Sequence, residues 1–187
     1  MHSHIAHLFA LLEAAKEQGV PHVYIHFFGD GRDTAPRSAT RYAKELLEFI
    51  DKEKVGKIAT VVGRYYAMDR DKRWERIKIA VDGLVKGEGE KSDDIIATIE
   101  ERYKKDETDE FLKPIIVIGD EGRIKGMIFL FKITRVLGLV TQLIIPDGDT
   151  LFFFNYRSDR MREIVSVFGL PDKPMEADIP KDLVRHS

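Results

Sequence analysis

The apolar residues of this chain recur with two alternating spacings, which predict helices and strands in turn. Between Ile5 and Gln18 they return every three or four positions, as on one face of an amphipathic helix, and Gly19 ends the segment. The β-branched and aromatic run His22–Phe28 then predicts a strand, because a Gly-Asp-Gly turn follows it. The same patterns predict further helices over Pro36–Lys52, Trp74–Val85, a segment opened by Ser92-Asp93-Asp94, and Ser158–Gly169, and further strands over Lys57–Val62, Pro114–Ile118 and Leu151–Phe154.

This alternation of strands and helices predicts an α/β protein built as a three-layer sandwich. A largely parallel sheet would lie in the middle, covered by helices on both faces, because right-handed crossover connections place the helices there. With 187 residues, the chain is expected to form a single domain, 1–187, with a substantial core. In such sheets ligands bind where loops leave the carboxyl ends of strands. The loops predicted at such positions are Gly29–Ser38, Gly63–Asp71 and Asn155–Arg160.

Composition narrows the classes of function. Apolar residues make up 43% of the chain, which excludes wholesale disorder, and the absence of cysteine excludes a disulfide framework. Lys and Arg number 30 against 32 Asp and Glu, so nucleic acid meets no general positive field and an anion site has to be built locally. The apolar segment Met127–Pro146 contains Lys132 and Arg135, which are costly inside a bilayer, and no signal-like segment opens the chain. We therefore expect a cytoplasmic protein without nucleic-acid or membrane partners.

Arginines mark the three strand-end loops. The charged residues of interest are Arg32 and Asp33 in the first loop, Arg64 and Arg70 in the second, and Arg157 and Arg160 in the third. Taken singly, each loop is also explained by a solvated turn or a surface charge network. Two arginines at the start of a helix are unfavourable, however, unless an anion lies between them, because the helix dipole is positive there. Together the loops predict a focused pocket for a small, multiply charged anion.

Histidines near the N-terminus raise the question of a metal site. His4 and His7 can share one side of a helix, and imidazole is a common ligand of zinc and related ions. Because no acidic residue lies nearby in sequence, we predict no metal site there. We interpret His2 instead as a hydrogen-bonding or proton-carrying contact to the ligand, and His4 and His7 as ordinary helix-start residues.

Four segments carry the most specific information about function. They are His2-Ser3-His4, Gly29-Asp30-Gly31-Arg32-Asp33-Thr34-Ala35-Pro36-Arg37-Ser38, Gly63-Arg64-Tyr65-Tyr66-Ala67-Met68-Asp69-Arg70-Asp71 and Asn155-Tyr156-Arg157-Ser158-Asp159-Arg160. In content and order they resemble the substrate-domain motifs of cofactor-independent (2,3-bisphosphoglycerate-independent) phosphoglycerate mutase. The resemblance covers almost the whole chain. It implies an enzyme of glycolysis and gluconeogenesis that interconverts 3-phosphoglycerate and 2-phosphoglycerate through a phosphoserine.

The resemblance also implies which part of such an enzyme this chain is. Residues 1–187 would form the phosphotransferase, or substrate-binding, domain of a larger two-domain enzyme, whose phosphatase-like domain carries the serine and two Mn²⁺ or related divalent ions. The substrate-binding positions that it implies are His2, Arg32, Asp33, Arg64, Arg70, Arg157 and Arg160. Asp33 would be the general acid/base at the substrate hydroxyls, while the arginines clamp carboxylate and phosphoryl oxygens. Since we find neither the serine nor the metal ligands in this sequence, we expect the chain alone to be inactive.

Two other classes of function use the same residues. A non-catalytic module would keep the arginine pocket in order to bind a small phosphorylated carboxylate without turnover. A single-strand nucleic-acid binder would stack bases on Tyr65, Tyr66 and Tyr156, although the balanced charge argues against it.

The segment Gly126–Pro146 departs from the family pattern. That pattern would run from Lys125 directly into Asp147, whereas here 21 apolar, motif-free residues separate the two. Gly126-Met127 can be encoded with the donor-like string GGTATG, and Pro146-Asp147 with the acceptor-like string CCAGAT. We interpret 126–146 as an atypical insertion, either a translated intron or a genuine additional hairpin or helix. The sequence of the transcript distinguishes the two.

Overall fold

The chain folds into helices and strands that alternate along the sequence. A computed structural model describes residues 3–118 and 150–169. In chain order its elements are α1 (Ile5–Glu17), β1 (Tyr24–Gly29), α2 (Ala39–Glu53), β2 (Lys57–Gly63), α3 (Arg64–Ala67), α4 (Trp74–Lys86), β3 (Glu90–Ser92), α5 (Ile95–Lys104), a 3-10 helix (Asp109–Phe111), β4 (Ile115–Val117) and α6 (Ser158–Gly169). His2 and the insertion at 126–146 lie outside the described residues.

Most element boundaries lie within a few residues of their predicted positions, and the exceptions have local causes. In the predicted cap region 92–94 the capping residue is Asp94, whose carboxylate accepts the amides of Ile96 and Ala97 at 2.9 and 3.0 Å. Ser92 belongs instead to β3, which pairs with β4. The prediction of a strand over Leu151–Phe154 is wrong, because these residues pair with none of the described strands and lead as irregular chain into α6.

The described strands form one mixed sheet in the order β1, β2, β4, β3. β1 is parallel to β2 and β3 is parallel to β4, whereas β2 and β4 are antiparallel. Two of these three pairings therefore agree with the predicted, largely parallel sheet, and the reversal at β4 is the exception. Since an antiparallel strand begins where its neighbour ends, the residues just before β4 reach the sheet edge at which β1 and β2 finish.

Helices cover both faces of this sheet, in agreement with the predicted α/β class. Successive strand residues point to opposite faces, and Val61 and Val62 of β2 accordingly belong to two different core clusters. One cluster packs α1, α2 and α5 against the sheet around Leu46, and the other packs α4 and α6 around Ile77 and Ile164. Within the described ranges, no helix has the length and apolar character needed to cross a bilayer.

The histidine of β1, His26, couples the stability of this sheet to pH. Its Nδ1 is hydrogen-bonded to Thr60 Oγ1 on β2 at 2.8 Å, and burial lowers its pKa from 6.5 to about 4. The folded state therefore keeps the imidazole neutral, whereas the unfolded chain takes up a proton near pH 6.5. It follows that this histidine's contribution to stability is fully present above pH 6.5 and is lost as the pH falls toward 4.

We expect the free energy of unfolding to fall by roughly 2 kcal/mol more in the wild type than in a His26→Gln variant between pH 7 and pH 4. The difference is smaller than the full pKa shift would give because His26 is only partly buried. Urea titrations at the two pH values measure the difference. Val20→Gln, at an exposed position that does not titrate, is the control, and its free energy of unfolding should change with pH as that of the wild type does. Equal pH dependence of the wild type and His26→Gln would show the prediction to be wrong.

Candidate anion-binding site

Two strand-terminal glycines allow the 3-10 helix to lie directly over the ends of β1 and β2. The Gly63 amide donates to Leu112 O at 2.7 Å, and a Cβ at Gly63 would overlap the Glu110 carbonyl. A Cβ at Gly29 would lie 2.8 Å from the carbonyl oxygen of Asp109. Only glycine permits so close a backbone approach. The segment before β4 thereby becomes a wall of the site, together with the three loops predicted from the sequence.

An open cavity of about 370 Å³ lies at this edge, and we call it the arginine cavity. It is lined by Arg32, Arg64, Tyr65, Asp69, Arg70, Asp71, Arg73, Arg76, Glu110, Phe111 and Arg160. Four of the arginines named from the sequence therefore meet in one place. Arg73 and Arg76, which sequence reasoning did not select, belong to the same wall.

The first two loops are joined through Arg64, the first residue of α3. Its side chain is only 2% exposed, and its Nη1 lies 2.5 Å from Asp30 Oδ1 and 3.0 Å from Asp33 Oδ2. Asp30 also accepts the Arg32 and Asp33 amides at 3.2 and 3.0 Å, which fixes the turn that presents Asp33. The hydrogen bond from Arg64 lowers the pKa of Asp33, and the positive charges of Arg64 and Arg157 add to this effect. Asp33 is therefore held as a carboxylate at the mouth of the site.

The third loop joins the network through Arg157 and Asp159. Arg157 Nη1 lies 3.3 Å from Asp33 Oδ2, and its Nε donates to Asp159 Oδ1 at 3.1 Å. The other oxygen of Asp159 accepts from Arg70 Nη1 at 2.7 Å. The hydrogen bond from Arg70, followed by that from Arg157, lowers the pKa of Asp159 to about 2. Carboxylates and guanidinium groups thus alternate across all three loops.

Arg160 differs from its neighbours because it pairs with no carboxylate among the described residues. Its Nη1 donates to Met68 O at 2.9 Å. Its buried Nε has no hydrogen-bond partner among the described residues. Burial lowers the pKa of Arg160, and the positive charges of Arg64, Arg70 and Arg157 lower it further. This guanidinium therefore keeps donor capacity for an anion, at the point where four positive charges converge.

The remaining predicted contacts lie at the edge of the site. Arg32 is 62% exposed and reaches Glu110 Oε1 at 3.5 Å, so it forms a loosely held rim. His4 is a helix cap, since its Nδ1 accepts the Ala6 amide at 3.1 Å. The His7 ring lies 6.3 Å from the ring of Tyr156, so the start of α1 is next to the third loop. His2 itself lies outside the described residues, and its predicted role stays a prediction.

Sequence reasoning missed Asp109, the buried acid of the 3-10 helix. Its Oδ2 accepts the amides of Ser38 and Ala39, both at 2.8 Å, so it caps α2 from 70 residues away, and Tyr103 donates to its Oδ1. Ser38, at the expected cap position, makes no cap bond of its own to the α2 amides. No local signal identifies such a cap, because an N-cap is normally sought at the helix start itself.

A second missed group is Arg76 on α4. Its guanidinium lies 3.8 Å from the centre of the Tyr65 ring and 3.5 Å from Asp69 Oδ1. These contacts hold it against the wall of the arginine cavity by a cation–π interaction and an ion pair. The only feature of the sequence that pointed to Arg76 was its position in the first turn of α4, shortly after the second loop.

We expect Asp109→Ala to destabilise the fold by about 2–4 kcal/mol, because it leaves two buried amides and a tyrosine hydroxyl without their charged acceptor. Thermal and urea unfolding of the wild type and the variant measure the change in the free energy of unfolding. Asp93→Ala, an exposed acid in the turn before α5, is the control and should remain within about 0.5 kcal/mol of the wild type. A loss at Asp109 no larger than at Asp93 would contradict the capping role.

Comparison with known proteins gives one consistent result. The model of the family described as BPG-independent PGAM N-terminus matches residues 1–130 and 132–184. The chain is 53% identical over 188 residues to the 2,3-bisphosphoglycerate-independent phosphoglycerate mutase of Onchocerca volvulus, and 54% identical over 172 residues to that of Brugia malayi. These matches cover 98% and 91% of this chain but 32% and 29% of the relatives. The chain thus spans about a third of the length of the curated relatives that it matches.

The fold is similar to that of a solved structure as well. A phosphoglycerate mutase of Leishmania mexicana, determined at low cobalt concentration, matches with a TM-score of 0.76 at 25% sequence identity. The match covers 97% of this chain and 32% of that chain. Sequence and structure comparisons therefore agree on the same kind of protein and on the same partial coverage.

Proposed function

We propose, from the premise that this chain belongs to the BPG-independent phosphoglycerate mutase N-terminal family, that it binds the substrate in an enzyme interconverting 3-phosphoglycerate and 2-phosphoglycerate. The relatives are about three times longer, so the activity is proposed for a longer protein in glycolysis and gluconeogenesis. Its remaining, phosphatase-like part would supply the serine that carries the phosphoryl group. A cytoplasmic location and the lack of nucleic-acid and membrane partners stay predictions.

The observation that carries this proposal is that Arg160 is partly unpaired, since it has no carboxylate partner among the described residues. A guanidinium that is surrounded by three others, and that pairs with no described carboxylate, favours binding of an anion with more than one negative group. Phosphoglycerate has a carboxylate at one end and a phosphoryl group two or three atoms away. Arginines suit both groups, because their paired N–H donors match the spacing of carboxylate and phosphoryl oxygens.

The neighbouring residues divide the remaining work. Arg70 and Arg157 already hold a carboxylate, that of Asp159, which supports a role for them in clamping the carboxylate of the ligand. In the second transfer Asp33, kept ionised by Arg64, would accept the proton of the glycerate hydroxyl that attacks the phosphoserine, and the serine oxygen that is released would take up a proton in exchange. Holding the glycerate in place while it turns makes the second transfer effectively intramolecular.

The resemblance also implies Mn²⁺ or a related divalent ion. Within residues 3–118 and 150–169, no group of three His, Cys, Asp or Glu side chains is arranged to hold a metal ion. The described residues therefore do not fit that role. We propose that the longer protein binds its metal outside this chain, and we assign no metal-dependent step to these residues.

We expect the chain to bind 3-phosphoglycerate, and Arg160→Ala to weaken that binding at least about tenfold, which corresponds to the loss of one charge-assisted interaction. Isothermal titration calorimetry at low salt measures both affinities. Arg41→Ala is the matched control, since Arg41 is 65% exposed on α2 and pairs only with its helix neighbours Glu45 and Tyr42 among the described residues. Equal affinities of wild type and Arg160→Ala would contradict the proposal.

We expect no mutase activity from the chain alone, even with Mn²⁺ present, because the resemblance implies a phosphoryl-carrying serine outside this segment and the chain spans 32% of the Onchocerca volvulus relative. The assay mixes the purified chain with 3-phosphoglycerate and follows the appearance of 2-phosphoglycerate. A full-length relative in the same buffer is the positive control. Turnover above the blank by the chain would show that it contains a complete active site.

A further inference from the structure

Glu163 is a buried acid that the proposed function does not use. It lies on α6, three residues after Arg160, and only 5% of its surface is exposed. Its Oε1 accepts the backbone N–H of Lys72 at 2.8 Å, and its Oε2 has no hydrogen-bond partner within the described chain. Burying an acid is costly. Glu163 contacts the backbone of the connection between α3 and α4.

That connection, the 68–73 segment, carries Arg70 in its centre. Lys72 adopts a left-handed backbone conformation with φ at 59°, which is strained for a residue with a Cβ. Asp69 holds the segment from within, since its Oδ2 accepts two later amides of the segment, both at 2.9 Å. Glu163 provides the hydrogen bond from outside, at the strained residue itself. The segment is therefore fixed against α6 as well as within itself.

Arg70 lies between two attachments of the 68–73 segment to α6. On one side Arg160 Nη1 donates to Met68 O at 2.9 Å, and on the other side Glu163 accepts from the segment's backbone at 2.8 Å. The guanidinium of Arg70 in turn meets Asp159 on the same helix at 2.7 Å. One helix thus holds the segment before Arg70, after it, and at the end of its side chain.

We propose that Glu163 is a positioning residue, which fixes the direction of Arg70 into the arginine cavity by holding the backbone at Lys72. This inference rests on the proposed function, because it takes Arg70 as a contact of phosphoglycerate. Burial, and after it the negative charge of Asp69, raises the pKa of Glu163, while the hydrogen bond from the Lys72 amide acts in the opposite direction. A glutamine keeps the acceptor and the shape, whereas a methionine keeps only the approximate volume.

The test measures the affinity of the full chain for 3-phosphoglycerate by calorimetry. We expect Glu163→Met to bind about five- to tenfold more weakly than the wild type, and Glu163→Gln to remain within about twofold. In an Arg70→Ala background, Glu163→Met should cause no further loss, since there is no guanidinium left to position. Glu101→Ala, an exposed acid on α5, is the control for loss of negative charge. Unchanged affinity in Glu163→Met, or the same loss with and without Arg70, overturns the inference.

Hydrogen exchange of the Lys72 amide, measured without ligand, gives a second readout that does not depend on the proposed function. We expect exchange at least about tenfold faster in Glu163→Met and unchanged in Glu163→Gln. If Glu163→Met does not fold, Glu163→Ala takes its place in both measurements. Failure of the wild type to bind phosphoglycerate contradicts the proposed function, whereas unchanged exchange at Lys72 contradicts the role of Glu163.

Discussion

Repulsion between guanidinium groups is the constraint under which this site is built. Two unit charges 4 Å apart repel by about 4 kcal/mol at the effective dielectric of a protein surface, so arginines gather only where negative charge is interposed. Here Asp30 and Asp33 flank Arg64, and Asp159 lies between Arg70 and Arg157. In these pairs the carboxylates come from the first and third loops and the arginines from the second and third, so the loops neutralise one another. Arg160 stands apart because the described chain provides no acid for it.

The reversal of β4 supplies the framework on which these charges are placed. Because β4 runs against β2, the 3-10 helix before it lies over the ends of β1 and β2 rather than at the far side of the sheet. Gly29 and Gly63 allow that approach, and Asp109 ties it to the start of α2. The loop that carries Asp33 is therefore held at both ends, by a strand and by a capped helix. Rigid supports of this kind make a loop precise enough for binding.

Local patterns in the sequence reveal the elements and the arginine loops but not the contacts between distant segments. Charge at a strand end identified Arg64 and Arg70, charge at a helix start identified Arg157 and Arg160, and the structure brings the four together. The direction of β4 could not be predicted, because a strand of three residues contains no information about which strand it pairs with or in which direction. The role of Asp109 was equally hidden, because the helix that it caps begins 70 residues earlier. Leu151–Phe154 has a strand-like composition but pairs with none of the described strands, and of its residues Phe153 packs against the core.

The carboxylate bridge of Asp159 has a consequence for how a ligand leaves the site. Under the proposed function, an incoming carboxylate would take over bonds that Asp159 already makes to two arginines, so the gain in free energy would be the difference between two similar partners rather than the full strength of either. When the ligand departs, Asp159 would again pair with Arg70 and Arg157, so these two guanidinium groups would keep a carboxylate partner. An enzyme whose substrate and product differ only in the placement of one group gains from such an arrangement, because neither form becomes trapped.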